Sequence, residues 1–147
     1  MPITLRPLTP PDREAWEPLW QGYLSFYKTK LPAEVTENTW RRFHVPELPA
    51  YAIGAFDNGK LVGIVHYIFH LSNWLLKPTC YLQDLFTLPE ARGKGAGRAL
   101  IEAVYLAAKE AGSERVYWLT QEDNKTAQAL YDKLADKPGF IQYRKNV

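Results

Sequence analysis

Two adjacent residues, Asn58-Gly59, constrain the fold of this chain more than any other feature. They separate two β-rich runs, residues 51–57 and 61–69. A two-residue Asn-Gly loop between such runs is the strongest short-range signal for an antiparallel hairpin, because the tight turn needs positive φ at its centre. The hairpin commits the middle of the chain to sheet. Around it, residues 3–7 alternate like a short strand, and Thr9-Pro10-Pro11-Asp12 has the form of a helix start, with a Thr cap and an acid three residues on. A helix over 11–28 follows, carrying Trp16, Leu19, Trp20, Tyr23, Leu24, Phe26 and Tyr27, with Pro18 expected to kink or restart it. Residues 32–43 read as a shorter helix, and Pro46 and Pro49 end that region.

After the hairpin, a loop holds Trp74 and Pro78, and residues 80–88 form another β-rich run. Residues 97–111 place Leu100, Ile101, Val104, Ala107, Ala108 and Ala111 on one helical face, with Gly112 as the stop. Then come a strand over 115–120, a helix over 124–134 and a closing strand over 140–145. The predicted order is β-α-α-β-β-β-α-β-α-β, an α/β (α+β) fold whose mixed sheet is flanked by helices.

Composition removes several functions. The 147 residues fit one domain, 1–147, and at 46% hydrophobic and 14% aromatic they can bury a core. A net charge of +2 gives little basis for reading nucleic acid, which relies on clustered positive charge. The single cysteine, Cys80, excludes an intrachain disulfide and any Cys-rich metal site, and His44, His66 and His70 are too scattered for one, so no metal is expected. The N-terminal Met1-Pro2-Ile3-Thr4 reads as strand rather than signal peptide. The longest apolar run, 61–69, is far short of the ~20 residues that span a bilayer. No membrane partner is expected, and a cytoplasmic location is.

The chemistry concentrates between residues 85 and 100. Gly93, Gly95 and Gly97 lie between a strand and a helix, flanked by Arg92, Lys94 and Arg98. Glycines let backbone amides approach an anion, and the free amides and dipole of the next helix point at it. This is a phosphate cradle. It lacks the Ser or Thr that follows the lysine of a P-loop, and its glycine spacing and late position are wrong for a dinucleotide fold.

Arg92-x-x-Gly95-x-Gly97 after a strand instead resembles the acyl-CoA signature of the GNAT superfamily of N-acetyltransferases. The resemblance covers nearly the whole chain in element order and is most similar to the diamine (polyamine) acetyltransferase branch. There, Leu82-Gln83-Asp84-Leu85-Phe86-Thr87 corresponds to the strand before the glycine loop, and Asn124 lies seven residues before Tyr131. The resemblance implies that backbone groups of Leu85, Phe86 and Thr87 pair with the pantetheine arm of acetyl-CoA. It implies that Arg92, Gly93, Lys94, Gly95, Ala96, Gly97 and Arg98 hold the pyrophosphate, and that Asn124 bonds the cofactor arm. Tyr131 would stand near the thioester sulfur as general acid, which suits a phenol of pKa ~10 facing a thiolate of pKa ~8.5. A backbone amide of the same strand would polarise the thioester oxygen. Relatives commonly pair, so a homodimer is expected.

The base is the departure. Relatives often carry Glu where Gln83 stands, and glutamine cannot accept the proton. An amine of pKa ~10.4 is neutral in roughly one molecule in 2,500 at pH 7, a deficit of about 4.6 kcal/mol. The proton leaves to Asp84, or to a histidine through water, or the site captures neutral amine; Asp84 either does this or only holds the ammonium. Each candidate also has a plainer reading. Tyr131 can be a core aromatic, Asn124 an N-cap, and Asp84 a structural ion-pair member. Trp20, Tyr23 and Tyr27 can be core packing, of which Tyr23 and Tyr27 with Gln83 would contact the acceptor if the stripe reaches the pocket. His66 and His70 read as satisfied neutral residues, Cys80 as core, and Glu34 and Glu37 as solvated faces. The expected function is acetyl transfer from acetyl-CoA to a primary amine (polyamine, amino acid or protein lysine) by direct attack in a ternary complex. The alternative is a non-catalytic acyl-CoA-binding sensor or interaction module of the same fold.

Overall fold

A computed structural model describes residues 2–147. Five strands form one sheet in the order β1-β2-β3-β4-β5. They are β1 (Ile3–Pro7), β2 (Ala50–Asp57), β3 (Lys60–His70), β4 (Thr79–Thr87) and β5 (Val116–Tyr117). The first four are antiparallel neighbours, and β5 alone runs parallel to β4. The helices are α1 (Arg13–Phe26), α2 (Ala33–Arg42), α3 (Ala96–Glu110) and α4 (Lys125–Leu134). The β2–β3 turn is the two-residue loop expected: Asn58 has φ 51° and Gly59 φ 81°, and Asp57 pairs with Lys60 across it.

The sheet carries a core on each face. On one side Trp16, Leu19, Trp20 and Leu24 of α1 and Trp40 of α2 cover Ala52, Phe56 and Ile64. On the other, Leu100, Ile101, Val104 and Ala108 of α3 cover Val62, Val65, Tyr67 and Leu82. The first core explains why α1 runs unbroken through Pro18 rather than restarting there. An interior proline costs ~3 kcal/mol. Burying each of four large side chains returns ~1.5–3 kcal/mol, so the helix holds.

Two expected strands are altered. The strand expected over 115–120 is two residues long, because only Cys80↔Val116 and Tyr81↔Tyr117 pair before β4 and β5 diverge. The closing strand expected over 140–145 is absent: residues 135–147 carry no helix or strand, and Phe140, Ile141 and Tyr143 are exposed. A closing strand needs an edge to pair with, and β5 offers only two residues of ladder.

Candidate active site

The divergence of β4 from β5 builds the site. β4 pairs with β3 through Gly63↔Thr87, but on its other side it pairs only at Cys80 and Tyr81. Beyond that point its backbone faces an open cavity of about 500 Å³. Leu82, Gln83, Asp84 and Leu85 form one wall and Trp118, Leu119 and Thr120 the other. Tyr23 and Tyr27 enter from α1, and Tyr131 from α4. The structure thus brings Tyr23, Tyr27, Gln83, Asp84, Leu85 and Tyr131 into one space.

A bulge sets which side chains of β4 point where. His66 pairs with Asp84 and Tyr67 with Leu82, so Gln83 is the extra residue on β4. Gln83 is exposed into the opening, whereas Asp84 turns under α1 and is buried. There His66 Nδ1 lies 2.9 Å from Asp84 Oδ2, and Trp16 Nε1–H donates to His66 Nε2 at 3.0 Å. Both nitrogens of His66 are therefore committed. The imidazole has no lone pair left for a substrate, which removes it as the base. His70 is committed elsewhere, at 2.7 Å from both the Leu71 carbonyl and the Tyr117 hydroxyl.

The phenols here are held protonated. Burial, then the charge of Asp84, pushes Tyr23 well above the ordinary tyrosine range. Burial and the neighbouring Tyr27 raise Tyr131. Tyr131 packs edge-on against Trp118, ring centroids 5.4 Å apart. The α1 aromatics form a continuous tier from core to cavity: Trp16 stacks on Trp20 at 5.6 Å, and Trp20 on Tyr23 at 5.5 Å. The stripe is thus core at Trp20 and cavity wall at Tyr23 and Tyr27. Cys80 is fully buried, and burial pushes its thiol up to about 12.

The glycine loop fits a phosphate. Gly93 and Gly95 both take φ 82°, and a Cβ at either would meet nothing within 4 Å, so the backbone there borders open space. Gly95 caps α3 without a side chain, leaving the first-turn amides of Ala96, Gly97 and Arg98 free for an anion. Lys94 lies 3.6 Å from Asp57, and Arg98 donates to Glu102 at 3.1 Å. Arg92 has no carboxylate partner among the described residues and stands over the Phe86 ring at 5.9 Å. Phe86 itself turns under α1, against Gly22. Asn124 caps α4, accepting from Ala127 N–H at 3.3 Å.

Sequence reasoning did not connect Trp16, His66 and Asp84, which are distant in the chain and meet only through sheet register. It also missed Gln142 and Arg144, which line the cavity because the tail lies across it instead of closing the sheet.

Residues 13–135 match the Acetyltransferase (GNAT) family. The chain is 41% identical to the D-amino-acid N-acetyltransferase HPA3 of Saccharomyces cerevisiae, covering 98% of this chain and 91% of that one. It is 27% identical to the uncharacterized N-acetyltransferase YhfO of Bacillus subtilis, over 99% and 98% of the two chains. Among solved structures, the aminoglycoside N-acetyltransferase AAC(6')-Iy in complex with CoA superposes with a TM-score of 0.83 at 19% identity, covering 99% of this chain and 96% of that one. A match across this much of the chain, on a sheet that opens beside a glycine-capped helix, makes this protein a member of the GNAT family, an acetyl-CoA-dependent N-acetyltransferase.

Proposed function

We propose that the chain acetylates the primary amine of a small amino acid, by direct attack within a ternary complex. The observation that carries this reading is the single cavity shared by Asp84, the open margin of β4 and Tyr131. Acetyl-CoA supplies the activated acetyl group. The free backbone of Leu85, Phe86 and Thr87 aligns its arm, the residues from Arg92 to Arg98 hold its pyrophosphate, and Asn124 steadies the arm where α4 begins. Asp84 anchors the incoming ammonium between Tyr23 and Tyr27, whose rings favour a cation. Gln83 contacts the acceptor from the bulge.

Among the described residues Asp84 is the sole carboxylate lining this cavity, and with Gln83 unable to take a proton and His66 fully bonded, it receives the proton of the ammonium. The amine lone pair then forms the C–N bond, the C–S bond breaks, Tyr131 gives its proton to the departing sulfur, and the second proton shed by the acylated nitrogen restores the phenol. A covalent relay through Cys80 is disfavoured by its burial and by the weak acidity of its thiol. The presence of both Asp84 and Tyr131 in the cavity favours turnover over a non-catalytic module.

An amino acid is favoured over a polyamine by charge. Arg144 lines the same cavity, without an ion-pair partner among the described residues, and would meet a carboxylate where Asp84 meets an ammonium. A polycation would meet one acid and one repelling base. The 41% identical yeast relative, a D-amino-acid N-acetyltransferase, supports the same acceptor class. The exposed Trp74, Phe140 and Ile141 suit contact with a second copy, which light scattering on the purified protein tests. The acceptor is tested by CoA release with alanine of each hand, alaninamide, spermidine and a lysine peptide. The reading expects the free amino acids to give the highest kcat/KM; preference for spermidine or the peptide would overturn the acceptor class.

A further inference from the structure

We propose that Trp16 and His66 are positioning residues for Asp84: the indole N–H locks the imidazole in one neutral tautomer, which keeps the His66–Asp84 pair singly negative where the acceptor amine meets it. This rests on the reading above that Asp84 receives that amine. An indole nitrogen only donates. Its 3.0 Å approach to His66 Nε2 therefore requires a lone pair there, so the ring proton sits on Nδ1 and donates to Asp84 Oδ2 at 2.9 Å. The ring is 2% exposed and enclosed by Trp16, Trp20 and Phe43, with centroids at 6.0, 5.5 and 4.6 Å. None of these rings carries a charge. The titratable groups facing the pair are Tyr23, Tyr27 and Tyr81, all raised and so held as neutral phenols. The charged groups nearest are Arg144, which lines the cavity with Asp84, and Arg13, 5.1 Å over the Trp16 ring, both guanidiniums whose charge is fixed across this pH range.

The function of the lock follows from its removal. An imidazole whose Nε2 lone pair is free can take a second proton there. An imidazolium beside Asp84 would cancel the carboxylate's charge and compete with the substrate ammonium for it. With the indole in place that protonation needs a buried hydrogen bond to break first. The lock thus keeps Asp84 from being switched off by protonation of the ring bonded to it.

The test is the pH profile of kcat/KM for CoA release in wild type, Trp16→Phe, His66→Asn and the double variant. His66→Asn keeps an N–H toward Asp84 but cannot titrate. Trp16→Phe should move the acid limb upward, so that activity at about pH 6 falls several-fold further than at about pH 8.5. The double variant should lose that shift, and acetyl-CoA affinity by calorimetry should stay within about twofold in all four. A Trp16→Phe profile parallel to wild type overturns the proposal. If Trp16→Phe does not fold, nitrogen NMR of the wild-type histidines decides: a His66 that stays in the Nδ1–H form from about pH 5.5 to 8.5 supports the lock, and one that titrates or carries its proton on Nε2 overturns it. Unchanged kcat/KM in Asp84→Asn would instead overturn the assignment of Asp84, which the NMR result does not touch.

Discussion

At the scale of single residues, Tyr131 and Asp12 show how environment assigns roles. Tyr131 keeps its proton because burial raises it, and it holds its place by packing on Trp118. Tyr131→Phe preserves that packing and removes only the hydroxyl. In the role proposed for it, a positioned acid is worth ~10²–10⁴ in rate, so kcat should fall about 100-fold with acetyl-CoA affinity nearly unchanged; stopped-flow and calorimetry separate the two. Asp12 is a structural counterpart. Arg6 meets it through two hydrogen bonds, 2.7 and 3.0 Å long, and the Thr9 N–H adds a third at 2.8 Å. The Arg6 bonds foremost hold this carboxyl well below the usual range. A lowered folded-state pKa means that the unfolded chain binds the proton more readily, so the contribution is present above about pH 4 and lost as pH falls below it. The urea midpoint should therefore drop on acidification, and Asp12→Asn should flatten that part of the profile. An identical acid slope in the two proteins would clear Asp12 of the effect.

The elements were legible in proportion to how local their signals are. Asn58-Gly59 specified its hairpin because turn geometry is written in two residues, and the glycine loop specified where α3 begins. Of the kink or restart expected at Pro18, the restart did not occur, because four buried side chains outweigh one lost backbone bond. The bulge at Gln83 was invisible, since register depends on β3 as much as on β4, and with it went the pairing of His66 with Asp84. Close packing of the sheet also shows at Gly54. A Cβ there would come within 2.6 Å of Leu8 and 2.7 Å of Leu61, both buried. Gly54→Ala should cost ~1–3 kcal/mol by overpacking, despite alanine's smaller entropy cost, and should be read as a lower urea midpoint with an unchanged slope.

Across the whole molecule, the tail was the least legible part. Residues 140–145 carry a strand-like pattern, yet a strand exists only against a partner, and β5 leaves too little edge. The same shortness opens the cavity, so the missing closure and the site are one fact of topology. Cys80 stands at the root of that opening, where β4 and β5 still pair, with none of its surface exposed. The lone thiol is therefore silent to alkylating and disulfide-exchange reagents as long as the sheet holds. A colorimetric assay of released CoA should carry no background from the folded enzyme. In mild denaturant, Cys80 should become modified at the rate at which the β4–β5 junction opens, and labelling much faster than the loss of tryptophan fluorescence would mean that this junction frays on its own. The chain thus holds its own clock for the durability of its fold, one cysteine that reacts only after the structure around it has let go.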